Sequence, residues 1–213
     1  SKNIENLLKQ FDSISFNMSV DAVGKVDDFL RHGQKWTKKV KNIQQMLALP
    51  NILWAGIMHV CQPVSAFHLV DNMEYFLYLK RNFPEKISRV TFNPIIDPTF
   101  LHLGILDDDH KEHLIDLTKT CIHKFEMKEQ EIKWFDVFKS EINKNFENEK
   151  KKYLQNEFVK HQIELDKIRN TNTLQITPQL KRYFDRYDNS IIDVNKKRNT
   201  IVGNFESKFD ATK

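Results

Sequence analysis

Glycine is scarce in this chain, at 5 of 213 residues. Neither GxGxxG nor GxxxxGK[ST] occurs, which excludes the glycine-built loops that cradle phosphates. Cysteine is scarcer still: the two present, Cys61 and Cys121, supply neither a four-thiolate zinc site nor, alone, the ligands of an iron–sulfur cluster. No uninterrupted apolar run reaches the length that spans a bilayer. Residues 1–11 are polar and have no signal-peptide core. These features predict a soluble, cytoplasmic protein with no membrane partner. One-sided charge is also missing. Lys+Arg total 33 against Asp+Glu 29, a net charge of +4, and so small an excess does not mark a nucleic-acid binder.

What is present is a chain that is 40% hydrophobic, with 16 phenylalanines, enough for one packed domain with a helical appendage. Ile4, Leu7, Leu8 and Phe11 recur at helical spacing and predict a short amphipathic opening helix. Residues 14–21 alternate apolar and polar, the pattern of a strand with two unlike faces. Gly24 reads as a breaker, and residues 35–49 as a helix stopped by Pro50. Residues 52–61 are almost continuously apolar, as a buried parallel strand requires. Residues 71–82 read as a helix and residues 87–93 as a third strand. Strand, helix, strand, helix, strand predicts an α/β fold with a parallel sheet and crossover helices. Beyond Pro98 helical periodicity takes over. Helices are expected over residues 107–124 and 138–168, and a shorter one from Pro178 carrying Leu180, Tyr183 and Phe184. The organisation read from these shifts is an α/β unit at 1–98, a helical extension at 99–187 and a polar tail at 188–213.

In parallel βα architectures, sites gather at the carboxyl ends of the strands. The first strand ends with Ser19 and Asp21, which share a face because side chains repeat every two residues. The second ends near His59, and the third with Thr91 and Asn93. Arg31, in the connection after the first strand, is within reach of the same edge. A hydroxyl, a carboxylate, an imidazole and a guanidinium suit a ribose and an amino-acid carboxylate, since Arg grips a carboxylate through two parallel bonds. Each residue has a plainer role open to it. Ser19 and Asp21 are suited to capping the turn before Gly24. A lone His on an apolar strand is commonly a satisfied core residue. Asn93 before Pro94 is a common turn starter.

The run MSVDAVGKVDDFLRHGQKW resembles the fourth strand and following loop of radical S-adenosylmethionine proteins. It is most similar to the twitch-domain-containing group found in bacteria and their phages, where SLDAVG is followed by YIRHG and KW. LPNILWAGIMHVCQPVSAFHL is similar to the fifth strand of that group, RVTFNPIIDPTFLHL to its sixth, and ELDKIRNTNTLQITPQLKRYF to its C-terminal signature. The resemblance extends over residues 4–184. It implies the second half of a six-strand partial βα barrel, followed by a helical extension. It also implies that Ser19, Asp21 and Arg31 contact the ribose and methionine carboxylate of S-adenosylmethionine. His59 falls where many relatives carry Asn or another polar group. The chain departs from the family in lacking the CxxxCxxC triad that holds the [4Fe–4S] cluster, which cleaves S-adenosylmethionine reductively. On this resemblance the chain is catalytically incomplete, and the cluster has to come from a missing N-terminal half.

Three parallel strands leave open edges that act as hydrogen-bonding templates. The expected partner is therefore a separate N-terminal half, a second copy of the chain, or another protein at the edge formed by residues 14–21. Other constellations carry less. In DDDHKEH, His110 and His113 stand one helical turn apart with carboxylates nearby, but no third metal ligand is fixed by the spacing. Residues 38–41, 150–152 and 195–198 are basic runs, and the second, flanked by acidic residues, fits a solvated helix face. Trp134, Phe135, Phe138 and Phe146 have the spacing of core packing more than of base stacking.

Overall fold

The computed structural model describes residues 6–187. Its centre is a three-stranded parallel sheet in the order β1-β2-β3: β1 Ile14–Ser19, β2 Ile52–Cys61 and β3 Ile87–Pro94. Two helices, α1 (Gly24–Leu30) and α2 (Trp36–Leu47), connect β1 to β2. A short α3 (Pro63–Ala66) and α4 (Leu69–Asn82) connect β2 to β3. The α/β reading of the sequence holds, and so does the helical C-terminal part. After two 3₁₀ turns, Thr99–Leu101 and Leu103–Ile105, come α5 (Asp108–Lys124), α6 (Glu129–Ile132), α7 (Phe135–Ile142), α8 (Asn148–Arg169), α9 (Thr173–Ile176) and, after a 3₁₀ turn at Pro178–Leu180, α10 (Lys181–Asp185). Residues 6–8 are helical. The expected polar tail lies outside the described residues, as do residues 1–5, with Ile4 of the expected opening helix among them.

The register defines two faces. Met18 stands opposite Ile57, which stands opposite Val90, and all three are buried. With Phe16, Val20, Ala55, His59, Cys61, Ile87 and Phe92 they form the covered face, on which the core is built. The opposite face carries Ser15, Asn17 and Ser19 of β1, Trp54, Gly56, Met58 and Val60 of β2, and Arg89, Thr91 and Asn93 of β3. The three β1 residues and Arg89 are exposed, and Met58 is 37% exposed. Helix α7 packs on β3 and α4 on α5, so one hydrophobic core runs from the sheet into the helical part. Among the described residues no helix is long and apolar enough to cross a membrane.

Two expectations need correction. Arg31, expected in a loop after the first strand, instead caps the end of a helix. Gly24 adopts φ +59°, a conformation that costs glycine little, and the chain turns there directly into α1. The helix expected over 138–168 is two helices, α7 and α8, separated by residues 143–147. Lys111 holds that break by donating from Nζ to the Lys144 carbonyl (2.9 Å) and to Asn145 Oδ1 (2.6 Å). Phe146 continues the apolar stripe in sequence, but in the structure its ring meets His102 edge-on at 5.6 Å.

Candidate functional site

Three of the nominated residues meet at the carboxyl end of β1. The strand delivers Ser19, and Val20 remains tied to β2 through its N–H to the Met58 carbonyl (2.9 Å). Asp21 follows on the same side as Ser19, whose hydroxyl lies 3.4 Å from Asp21 Oδ1. Helix α1 then reverses the chain and presents Arg31 at its C-terminal cap. Arg31 donates from Nε to Asp21 Oδ2 (2.8 Å) and from Nη2 to Ser19 Oγ, and Nη2 also lies 2.8 Å from Asp21 Oδ2. No described residue accepts from Nη1. The guanidinium is 34% exposed and the carboxylate 13%. The cluster is therefore preorganised and only partly closed, with Arg31 Nη1 free to donate to one more acceptor at its outer edge.

Asn93 and Thr91 lie on the same open face, Asn93 opposite Val60 and Thr91 opposite Met58, so β2 separates them from Ser19. Both are half-buried. His59 is not brought to the cluster. Ser19 pairs with Met58, which places the next residue, His59, on the covered face. There it is fully buried, with its ring edge-on to Phe76 (5.6 Å) and Phe92 (5.1 Å). Nδ1 lies 3.0 Å from the Val20 carbonyl. A carbonyl only accepts, so Nδ1 carries the hydrogen, which leaves Nε2 as a bare acceptor with no partner. Burial pushes the pKa of His59 down to about 4.

That value has a measurable consequence. An unfolded-chain histidine titrates near 6.5, so between that pH and about 4 the unfolded state binds the proton that the folded state refuses. Stability is at its full value above pH 6.5 and declines as the pH falls towards 4, with His59 accounting for about 3 kcal/mol of the decline. Burial also lowers the pKa of His68, His110 and His161, which act in the same direction. Urea unfolding at pH 7 and pH 4.5 tests this: His59→Leu should show a stability loss on acidification smaller than the wild type by about 2.5 kcal/mol.

The two histidines of the acidic helix start at residues 107–113 are engaged by neighbouring side chains. His110 packs against Phe67, and its Nδ1 lies 2.8 Å from the Tyr183 hydroxyl, while His113 stacks on Phe67. Among the described residues no group of three or more His, Cys, Asp or Glu converges as metal ligands. Cys61 and Cys121 are both buried and free, and burial raises both thiol pKa values, that of Cys121 to about 12. Neither thiol is offered as a thiolate ligand.

One feature beside the site was not foreseen. Asp27 of α1, fully buried, accepts from Lys39 Nζ of α2 at 2.7 Å. This buried pair ties together the two helices of the β1–β2 connection, and Arg31 lies at the end of the first of them. In sequence, Lys39 is one member of the basic run at 38–41 and carries no sign of a buried partner. Comparison of the chain with protein-family models, with characterised proteins and with solved structures gives no match.

Proposed function

We propose that the chain is the C-terminal portion of a radical S-adenosylmethionine-type enzyme, contributing S-adenosylmethionine contacts and part of a substrate cavity. The observation that carries this is the convergence of Ser19, Asp21 and Arg31 at the carboxyl end of β1, on a sheet face that nothing described covers. Asp21 and Ser19 are suited to ribose hydroxyls. Arg31 Nη1 is suited to the amino-acid carboxylate, and Asn93 stands at the same end of the sheet. The bound cofactor would supply its 5′-deoxyadenosyl group to the chemistry. The residues present do not fit a [4Fe–4S] cluster, because the two thiols are buried and isolated. The cluster would belong to a separate N-terminal half, and no reaction step is assigned to this chain alone.

Calorimetric titration of the full chain with S-adenosylmethionine tests the reading. Binding is expected in the intact chain, and Asp21→Ala and Arg31→Ala should each weaken it at least tenfold, the loss of one charge-assisted contact. No heat of binding at millimolar cofactor would overturn it. One observation favours a second reading, that of a cluster-free homologue, bacterial or phage, acting as a binding or structural protein. Arg31 already spends Nε and Nη2 on Asp21 and Ser19, as a purely structural clasp would. Absence of binding, with the fold intact, would select this reading.

A further inference from the structure

Among the described residues, nothing protects the outer edge of β1. The Ile14 N–H reaches the Asn51 carbonyl and the Val20 N–H the Met58 carbonyl, so the even-numbered residues of β1 direct their backbone groups at β2. In a parallel ladder the intervening residues point the other way. Ser15, Asn17 and Ser19 therefore direct N–H and C=O outward, and no described residue pairs with them. Protein edges are normally guarded by charge, proline or cover. Residues 14–19 read ISFNMS, with neither charge nor proline. The other edge differs: β3 carries Arg89 and ends at Pro94, and Lys80 Nζ donates to the Ile87 carbonyl (2.5 Å).

We infer that β1 pairs antiparallel with β1 of a second copy about a two-fold axis at Asn17, joining two three-stranded sheets into one continuous six-stranded sheet. The register follows from the unpaired groups. Residues that exchange both hydrogen bonds in an antiparallel pair lie directly opposite one another on the same face. With the axis at Asn17, Asn17 faces its own copy and Ser15 faces Ser19, so every outward N–H and C=O of the three residues is used. Shifting the axis to either neighbour leaves one of the three without a partner from this set. The side chains agree with this choice. The exposed polar residues meet one another on the open face, and half-buried Phe16 meets Met18 on the apolar face. No like charges are opposed along the strand, even though each copy carries +4 overall. The Asn17 side chain lies over Gly56, where a Cβ would come within 2.4 Å of Asn17 Oδ1, so it leans towards β2 and leaves the edge clear. The inference does not rest on cofactor binding, and a second copy on β1 excludes a separate N-terminal half from the same edge, so the two are alternative occupants of it.

Sedimentation velocity of the full chain over a concentration series is the test. A reversible dimer is expected. Asn17→Pro removes an outward N–H while leaving the ladder to β2 intact, and should weaken dimerisation at least tenfold with an unchanged circular dichroism spectrum. Register is read by oxidation. Asn17→Cys should cross-link to itself, because directly opposed Cα atoms lie about 5.5 Å apart. Ser15→Cys alone should not, and Ser15→Cys with Ser19→Cys should. The native thiols are buried and give little background. A monomer at all concentrations would overturn the proposal and leave the edge to a different protein. A dimer in which Asn17→Cys fails to cross-link would overturn it equally, and that result stands even if the proline variant misfolds.

Discussion

Phe92→Ala is expected to destabilise the chain by about 3–5 kcal/mol, the range for deleting a large aromatic from a well-packed core. Phe92 is 1% exposed, on the covered face of β3 opposite His59. Its ring lies 5.1 Å from His59 of β2, and 5.6 and 5.5 Å from Phe135 and Phe138 of α7. It is the point at which the sheet holds the helical part, so its removal leaves a cavity on both sides of that junction. The cavity cannot close by a side-chain shift alone, because β3 is anchored in register with β2 and Phe135 and Phe138 are both fully buried. A domain of ordinary stability has about 5–15 kcal/mol in reserve. Thermal and urea unfolding of Phe92→Ala should therefore show a midpoint well below that of the wild type. Phe92→Leu should recover much of the difference, since it keeps most of the buried volume. A loss below about 1 kcal/mol for the alanine variant would mean that Phe92 does not join sheet and helices.

The sheet was legible in the sequence because its two kinds of strand leave different marks. Alternation in residues 14–21 gives a strand with one open face, and the apolar run at 52–61, broken only by His59, gives the central strand. The helix ends were less legible. Gly24 looks the same whether it ends a strand in a loop or turns it into a helix, and the positive φ that decides between them is a property of the backbone. The break between α7 and α8 was hidden because Phe146 falls where the stripe predicts an apolar residue, although it serves a loop held by Lys111.

The site divides along the same line. Ser19, Asp21 and Arg31 were nominated from local signals, namely a strand end, a two-residue repeat and a nearby guanidinium, and the structure brings them together. His59 depended on something non-local. Whether Met58 or His59 shares a face with Ser19 is set by the pairing of β1 with β2, and a shift of one residue exchanges them. That pairing carries an irregularity between Ile14 and Ser15, and nothing in either strand alone fixes its outcome. The Asp27–Lys39 pair was invisible for a related reason. Charged residues twelve apart on two helices come together only once the connection is folded.

That pair sets the second large effect. Lys39→Met keeps the aliphatic stem against Trp36, whose ring the ammonium overlies at 5.7 Å, and removes only the charge. It strands Asp27, which is fully buried and has one carboxylate oxygen, Oδ2, without a partner even in the wild type. Breaking one side of a buried ion pair costs about 3–5 kcal/mol. The direction of the pH dependence follows from Asp27. Burial already raises its pKa, and the hydrogen bond and charge of Lys39 oppose that rise. Without Lys39 the folded-state pKa climbs further above the unfolded value. A carboxyl of this kind stabilises the fold only while protonated, so the cost is absent below the unfolded pKa near 3.9 and grows as the pH rises towards the folded pKa. The deficit of Lys39→Met relative to the wild type should therefore be large at pH 7 and shrink towards pH 4. The double variant Asp27→Asn with Lys39→Met should regain much of the lost stability at neutral pH, because neither buried charge remains. A deficit independent of pH, or a double variant no better than Lys39→Met, would show that Lys39 acts through packing and not through Asp27. In that case α1 would be held, and Arg31 presented, by apolar contacts such as those of Phe29 in the core.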